Sequence, residues 1–404
     1  SLILCVAMGL QAFTHADLST EMIFPVQEKH VHGSSVVETP QGDLIAAWFY
    51  GSGERTADDV MVQGARLRKG ETVWSEVFTL ADTPGFPDCN PVLFVDAQDR
   101  LWLFWVVVLA HGWQNCLLKY KRASDYNADG APQWEWQDVI HLQPGDEFSD
   151  QLEAAFKVLA PEEGMWAEYA LPYSEMLVAA AKDKLKRQIG WMTRTQPLIL
   201  DSGRILLPLY SDGFNVSAMA FSDDSGENWD ISAPIVGLAP IQPTVAQRKD
   251  GSVVAFCRDS GTAPTRIHRA DSTDNGVTWS ISHKTDMPNP RASIAVRELA
   301  DGRWILIYND TEEGRHSLAA ALSEDEGNTW PVIRPIERDK MGKGSFSYPS
   351  VIQGADGRVH ISYSYRAKDG ASIKHAALLL NGCQENNKLT GKWYTLIVVY
   401  IGRR

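Results

Sequence analysis

The chain alternates between short apolar runs and tight polar turns. Runs such as 44–49 and 304–308 are rich in aliphatic and aromatic residues, and each follows a turn that contains Gly or Asp. Apolar runs of this length on both sides of a glycine turn predict β-hairpins. Six such turns are present, at Gly42, Asp99, Gly203, Gly251, Gly302 and Gly357. One hairpin for each structural repeat predicts an all-β fold, a six-bladed β-propeller.

A second pattern, S-x-D-x-G-x-x-W, occurs three times, at 222–229, 272–279 and 323–330. The copies start 50 and 51 residues apart, and a fixed period of this length is typical of a propeller or another repeat fold. In a turn between antiparallel strands the Asp accepts backbone N–H bonds, the Gly adopts positive φ and the Trp packs into the sheet. We therefore assign these boxes to architecture and not to catalysis.

The spacing of the turns is regular except between Asp99 and Gly203, where the gap is about twice one repeat. We expect an insertion of roughly fifty residues there, at about 125–190, between blades two and three. Within it, 175–189 is predicted to form an amphipathic helix with Ser174 as N-cap, and 150–159 a shorter helix. The apolar stripe of the longer helix would consist of Met176, Leu177, Ala180, Ala181, Leu185 and Ile189, and its solvent face of Lys182, Lys184, Lys186 and Arg187.

The two ends of the chain lie outside the predicted propeller, which we place at 21–381. Residues 1–16 have a short apolar core followed by small residues, as in the remains of a secretory signal peptide, although a buried first strand is the alternative. The signal predicts a secreted or periplasmic protein. Segment 21–29 is expected to close the ring by joining the last blade, and 382–404 is an extension of uncertain structure.

Composition narrows the classes of partner. The chain has 404 residues, 44% of them hydrophobic, and a formal net charge of −13, which disfavours nucleic acid and anionic membranes. No run is long enough to predict a stable membrane insertion as a helix. The cysteine spacings predict no metal site and the sequence suggests no cofactor, while a Cys89–Cys116 disulfide is compatible with an exported protein.

Candidate chemistry is expected where the inner strands begin, because these strand ends converge on one central mouth in a propeller. Five of the six starts carry a polar residue beside Pro or Gly. The starts are 32–35, Asn90-Pro91, Gln196-Pro197, Gln242-Pro243, Pro290-Arg291 and Tyr348-Pro349. They predict a ring of hydrogen-bonding groups that face the axis.

The three boxes resemble the Asp-boxes of the sialidase (neuraminidase) superfamily, whose members are BNR/Asp-box repeat propellers. The resemblance implies three arginines that bind a substrate carboxylate, a tyrosine nucleophile paired with a glutamate, and an aspartate that acts as the acid. Tyr348 matches the nucleophile, and Arg258 and Arg315 match the second and third arginines. No cofactor is implied.

The chain departs from this pattern at several positions. His32 stands where the first arginine is expected, and Ser364 lies where that arginine's glutamate partner would be. Gln242, which cannot take a proton, replaces the glutamate that pairs with the tyrosine. Asp59 is the nearest counterpart of the acid, with Asp58 and Glu54 as competitors.

The residues in the chemistry are thus expected to be Tyr348, Asp59 and His32, the last of which could serve as base or acid. The expected substrate contacts are Arg258, Arg315, Gln242, Arg55, Asn90 and Arg291, with Arg366 as a weaker candidate. We predict a secreted sialidase-like glycoside hydrolase of the exo type that acts on a sialic-acid-like or uronate-bearing glycan. The alternatives are a polysaccharide lyase that uses His32 or Tyr348 as base, and a glycan-binding propeller without catalysis.

Overall fold

A computed structural model of the chain describes residues 18–160 and 173–380 and contains six antiparallel sheets. The predicted signal segment 1–16 and the extension 382–404 lie outside the described residues. In chain order the strands are β1 (Leu18–Met22), β2 (His30–Glu38), β3 (Leu44–Gly51), β4 (Met61–Leu67), β5 (Phe78–Ala81), β6 (Asp88–Val95), β7 (Leu101–Val108), β8 (Cys116–Ala123), β9 (Trp136–Val139), β10 (Met192–Thr193), β11 (Leu198–Ile199), β12 (Ile205–Ser211), β13 (Val216–Ser222), β14 (Asp230–Ile231), β15 (Pro240–Gln247), β16 (Val253–Asp259), β17 (Arg266–Ser272), β18 (His283–Pro288), β19 (Ala295–Glu298), β20 (Trp304–Tyr308), β21 (Ser317–Ser323), β22 (Val332–Arg338), β23 (Ser345–Gln353), β24 (Val359–Ala367) and β25 (Gly370–Leu378).

The six sheets are the blades of a propeller, which confirms the predicted fold class. Blade one holds β2–β5, blade two β6–β9, blade three β10–β14, blade four β15–β18, blade five β19–β22, and blade six β23–β25 together with β1. The predicted turns join the first long strands of every blade. Their glycines have φ between 80° and 89°, and Asp99 has φ 58°. The local demand for positive φ therefore explains why Gly or Asp marks each repeat.

Each Asp-box is closed by bonds among its own residues. In the box of blade four, Ser272 Oγ donates to Asp274 Oδ1 at 2.8 Å and accepts from the backbone N–H of Gly276 at 3.0 Å. Asp274 Oδ1 also accepts from the backbone N–H of Thr278 at 2.9 Å, and Trp279 Nε1 donates to the Gly276 carbonyl at 3.1 Å. These contacts belong to the architecture, as predicted.

The apolar core lies between neighbouring blades. The boxes take part in this packing, since Trp229 of blade three lies edge-on to Phe104 of blade two, and Trp330 of blade five to Phe256 of blade four. Phe256 also belongs to a buried cluster with Trp304 of blade five. Because a buried aromatic side chain contributes about 1.5–3 kcal/mol, each seam between blades is a separate source of stability.

The segment before blade one joins the last blade as predicted, but the strand that pairs lies mostly earlier than the predicted 21–29. Strand β1 pairs with β25, with Leu18 opposite Leu378 and Met22 opposite Lys374, so it becomes the outer strand of blade six. The backbone of Gln27 also pairs with that of Ala371. The closure therefore joins an early segment of the chain to its last described strand by main-chain hydrogen bonds.

Between blades two and three the described residues form three α-helices: α1 (Glu147–Leu159), α2 (Tyr173–Ala181) and α3 (Lys184–Gln188). The single helix predicted for 175–189 was wrong, because Asp183 accepts from the backbone N–H of Leu185 at 2.9 Å and starts a new helix. Arg187 was also wrongly placed in water. It is buried and donates to the carbonyls of Pro144 and Ala181.

Two further predictions for this region were wrong: the apolar stripe of the helix and the start of the insertion. Met176 and Leu185, predicted for the apolar stripe, are 46% and 66% exposed. The insertion begins later than predicted, since 136–139 forms β9 and pairs with β8 in blade two. The helices pack on the propeller through Phe148, whose ring centroid lies 5.3 Å from that of Phe214.

The structure contradicts the disulfide between Cys89 and Cys116 that the sequence allowed. Both thiols are free and buried, on β6 and β8, and β7 runs between these two strands. Neighbouring strands are about 4.8 Å apart, so two strands separated by a third lie beyond the roughly 7 Å limit for bridged Cα atoms. Among the helices of the described ranges, none is both long and apolar enough to cross a membrane.

Candidate active site

The inner strands of five blades share one backbone feature near one end of the axis. A residue there has left-handed φ: Gly33 (67°), Asn90 (52°), Gln242 (52°), Arg291 (55°) and Tyr348 (58°). In blades one, two, four and six it lies within a register shift of the strand pair, as in a β-bulge. Such bulges re-aim side chains, and positive φ at non-glycine residues is typical of functional sites. Four of the six strand starts predicted from the sequence thus lie at a repeated bulge, and Arg291 shares only the backbone conformation.

Tyr348 lies at the centre of this mouth. Its hydroxyl accepts from Arg258 Nη1 at 2.8 Å and from Gln242 Nε2 at 3.3 Å, and the guanidinium of Arg315 lies 5.3 Å from its ring centroid. Burial raises the pKa of the hydroxyl, but Arg258, Arg315 and the Gln242 amide together lower it by more, so the net direction is downward. The surroundings favour the phenolate.

Arg194, which the sequence analysis missed, closes the axis beneath Tyr348. From blade three its guanidinium donates to the carbonyls of Ser34 in blade one, at 3.1 Å, and Tyr348 in blade six, at 2.6 Å. It is fully buried, and burial lowers its pKa to about 10, so it stays a cation at neutral pH. The sequence feature that could have indicated Arg194 is an arginine between two threonines, just before Gln196. Gln196 itself donates to the Val36 carbonyl at 2.7 Å and does not reach Tyr348.

The mouth encloses a cavity of about 390 Å³ whose lining includes His32, Glu54, Arg315, Tyr348, Ser364 and Arg366. Arg258 and Arg315 lie next to Tyr348, and Arg366 lines the same cavity as Arg315 and Tyr348. Within 18–160 and 173–380, none of them has an acidic side chain within ion-pair distance, whereas Arg338 near by pairs with Asp310 at 2.6 Å. Unpaired guanidinium groups in a cavity are suited to an anionic ligand.

His32 contacts the nucleophile candidate directly, with ring centroids 4.1 Å apart. Burial, and then the charge of Arg315, lower the pKa of His32 well below its usual range. The imidazole is therefore neutral at pH 7 and suited to the base role, not the acid role. Nor does a neutral imidazole supply the charge of the arginine that it replaces.

Glu54, and not Asp59, is the carboxylate that lines the cavity. Asp59 accepts from Ser52 Oγ at 2.6 Å and from Lys29 Nζ at 2.9 Å, and these bonds lower its pKa to about 2. It is an anion at neutral pH and has no proton to donate. Burial raises the pKa of Glu54, opposed by Arg55, so Glu54 is the better general-acid candidate.

Gln242 and Asn90 are buried and hold tyrosines in place. The Gln242 amide donates to the hydroxyl of Tyr210 as well as to Tyr348, and Asn90 Nδ2 donates to Tyr210, in both cases at 3.2 Å. Tyr210 is a second residue that the sequence analysis missed, because its role depends on contacts from two other blades. Burial raises its pKa well above the usual range, so it stays a neutral phenol.

The remaining expected contacts lie at the rim. Arg55 lies over the Trp113 ring, 5.5 Å from the centroid, and 3.7 Å from the Glu54 carboxylate. Arg291 is exposed and its side chain bonds to the Gly261 carbonyl, while its own carbonyl accepts from Arg315 Nη2 at 2.8 Å. Arg291 thus orients Arg315 through its main chain. Among the described residues, no group of three His, Cys, Asp or Glu side chains is arranged to hold a metal ion.

Comparisons with known proteins agree with this fold. The anhydrosialidase of Macrobdella decora is 27% identical over 184 residues, which are 40% of this chain and 23% of that protein. The chain spans at most half the length of such curated relatives. A protein of unknown function from Dyadobacter fermentans has 17% identity and a TM-score of 0.67, covering 90% of this chain and all of that one. The leech intramolecular trans-sialidase has 14% identity and a TM-score of 0.62, covering 88% and 70%.

The sequence profile of the BNR repeat-like domain matches residues 42–159 and 178–361, more than half of the chain. The matched residues cover most of the blades, and the match is interrupted within the helical insertion. Together with the three Asp-boxes and the six sheets, it shows that the chain belongs to the BNR repeat-like domain family and is a sialidase-like propeller.

Proposed function

We propose that this protein is a sialidase-like glycoside hydrolase that removes a terminal anionic sugar from a glycan. The observation that carries the proposal is the position of Tyr348. Its hydroxyl accepts from Arg258 at 2.8 Å in a cavity whose arginines have no acidic partners among the described residues. A nucleophile and an anion-binding surface thus meet at one point.

The arginines compensate for the missing glutamate base. Gln242 cannot remove a proton from Tyr348, but Arg258 and Arg315 lower the pKa of the hydroxyl and stabilise its phenolate. The phenolate attacks the anomeric carbon, the glycosidic C–O bond breaks, and Glu54 gives its proton to the leaving oxygen. Water, deprotonated by the Glu54 carboxylate, then breaks the tyrosyl C–O bond and restores both groups.

The size and charge of the cavity support a single acidic sugar as the substrate unit. A volume of about 390 Å³ is at the lower end for small-molecule sites. The guanidinium of Arg194 lies 4.9 Å from the centroid of the Tyr348 ring and donates to the backbone of blades one and six. A cavity of this size suits a terminal sugar unit, which favours exo action on a sialic-acid-like or uronate residue. The sialidase-named relatives support the same substrate class.

The first test is turnover of a fluorogenic sialic-acid glycoside by the wild-type protein and by Tyr348→Phe. We expect a loss of at least about 1,000-fold in the variant, because the nucleophilic oxygen is gone while the ring contacts remain. Tyr50→Phe, outside the cavity, is the control and should keep wild-type activity. Full turnover by a folded Tyr348→Phe protein would refute the assignment.

One observation favours a lyase as the second candidate. Neutral His32 lies against Tyr348, and a neutral imidazole beside arginines could abstract the proton next to a uronate carboxylate. The product would be unsaturated and would absorb in the near ultraviolet. Uronate polysaccharides that yield this absorbance, with no release from the sialic-acid glycoside, would replace the hydrolase by the lyase. Binding of either sugar without turnover would support a glycan-binding propeller.

We also infer export of the protein to the cell surface, medium or periplasm. The inference follows from segment 1–16 and from the glycan substrate proposed above. Fractionation of cells that express the full-length gene is the measurement. Recovery of the protein in the cytosol, with 1–16 still attached, would contradict it.

A further inference from the structure

We infer that Arg366 of blade six binds the substrate carboxylate together with Arg315, and that His30 is the positioning residue that holds Arg366 there. The inference rests on the proposed function and names a residue of the anion site. The arginine expected in blade one is absent, because His32 and Gly33 occupy that place. Arg366 would supply the positive charge from blade six, on the opposite side of the seam between the two blades.

The course of the backbone explains how blade six can supply the guanidinium of Arg366. Ser364 lies opposite Ser347, next to the bulge at Tyr348, and its hydroxyl accepts from the Gly33 N–H at 3.0 Å. This bond joins blades one and six at the seam beside the mouth. Arg366 is two residues further along the same face of β24, opposite Ser345, and it lines the cavity with Arg315.

The Arg366 side chain is held by a neutral partner. Its Nη2 donates to His30 Nδ1 at 2.8 Å, which requires an unprotonated nitrogen on the imidazole. Burial, and then Arg366 itself, lower the pKa of His30 to about 4, so this bond persists at neutral pH. His30 therefore fixes the guanidinium without neutralising its charge.

The charge of Arg366 remains available for a ligand. A guanidinium has five N–H donors, and the bond to His30 is the one hydrogen bond that this group makes within the described part of the chain. Arg338, at the same end of blade five, shows the usual alternative, since it donates to Asp310 at 2.6 Å. An arginine that lines a cavity beside a second unpaired arginine is suited to a carboxylate, which accepts from both.

The test measures binding and not turnover. Calorimetric titration with the unsaturated glycal of N-acetylneuraminic acid and with its methyl ester compares wild-type protein, Arg366→Ala and Arg366→Lys. Arg358→Ala is the control, because this arginine directly precedes β24, at the end of the strand opposite Arg366, and lies beside Asp356. We expect Arg366→Ala to weaken binding of the acid about 10- to 100-fold, the range for one charge-assisted hydrogen bond.

The ester separates recognition from a general structural effect. Arg366→Ala should leave the weaker binding of the ester unchanged, Arg366→Lys should give an intermediate loss for the acid, and His30→Phe should lose about threefold to tenfold for the acid alone. Equal losses for acid and ester, or wild-type binding by Arg366→Ala, would overturn the inference while the proposed function stands. A wild-type protein that binds no acid would overturn the proposed function and the inference with it.

Discussion

The two ends of the blades differ in what is repeated from one blade to the next. At one end the Asp-boxes of blades three, four and five repeat the same Ser, Asp, Gly and Trp, with the same bonds from the Ser hydroxyl to the Asp and from the Gly N–H to the Ser. At the other end five blades repeat only a backbone conformation, and the residue that adopts it is Gly33, Asn90, Gln242, Arg291 or Tyr348. Side chains are thus repeated where they hold blades together, whereas only the main-chain conformation is repeated at the candidate active site.

Electrostatics separates the same two ends. In the boxes the pKa values of the pattern residues Asp224, Asp274 and Asp325 are lowered, that of Asp224 to about 2 by hydrogen bonds from Asn228. At the mouth the pKa of Glu54 is raised and that of His32 is lowered, so both charged forms are disfavoured. Groups shifted by burial and uncompensated charge are typical of functional sites. Three predictions test this division, beginning with the largest expected effect.

Glu54→Gln should reduce turnover by about 100- to 10,000-fold on substrates with a poor leaving group, because the general acid is lost. The loss should shrink on glycosides of an activated phenol, which leave without a proton. Rates on the two substrates measure the difference, with Asp59→Asn as the comparison. If Asp59→Asn shows the leaving-group dependence and Glu54→Gln does not, the acid has been assigned to the wrong carboxylate.

Asp274→Ala should lower the free energy of unfolding by about 1–3 kcal/mol, because several box hydrogen bonds lose their acceptor. Turnover should stay close to the wild-type value, since blade four carries this box at the end away from the mouth. Urea unfolding and steady-state assays measure the two quantities. A variant with normal stability and lost turnover would show that the box end is not purely architectural.

Gln242→Glu should shift the ascending limb of the pH–activity profile upward by about one pH unit. The new carboxylate replaces an N–H donor and disfavours the neighbouring Tyr348 phenolate, whose pKa rises, so more alkaline conditions are needed to ionise it. Turnover at a series of pH values measures the shift. A rise in activity at neutral pH would instead mean that Tyr348 does need a carboxylate base.

Features set by local geometry could be predicted from the sequence. The six turns and three boxes follow from positive φ and from hydrogen bonds within eight residues, and both were found in the predicted places. The resemblance to sialidases named both Tyr348 and Arg258, and their side chains are in contact in the structure.

Features set by contacts between distant segments could not be predicted. Arg194 crosses the axis to reach blades one and six, and no pattern near it in the chain records those carbonyls. The choice between Glu54 and Asp59 depended on which carboxylate Lys29 and Ser52 would engage. Arg187 resembled a solvent-facing helical residue until Pro144 and Ala181 supplied buried acceptors.

The pairing of β1 with β25 has a consequence for synthesis on the ribosome. Strand β1 emerges first but finds its partner only when 370–378 has been made, after all the intervening blades. At about 5–20 residues per second, its free edge waits for many seconds while those blades form. The propeller is therefore an open arc until 370–378 has been made, and the mouth takes its final shape only when β25 pairs with β1.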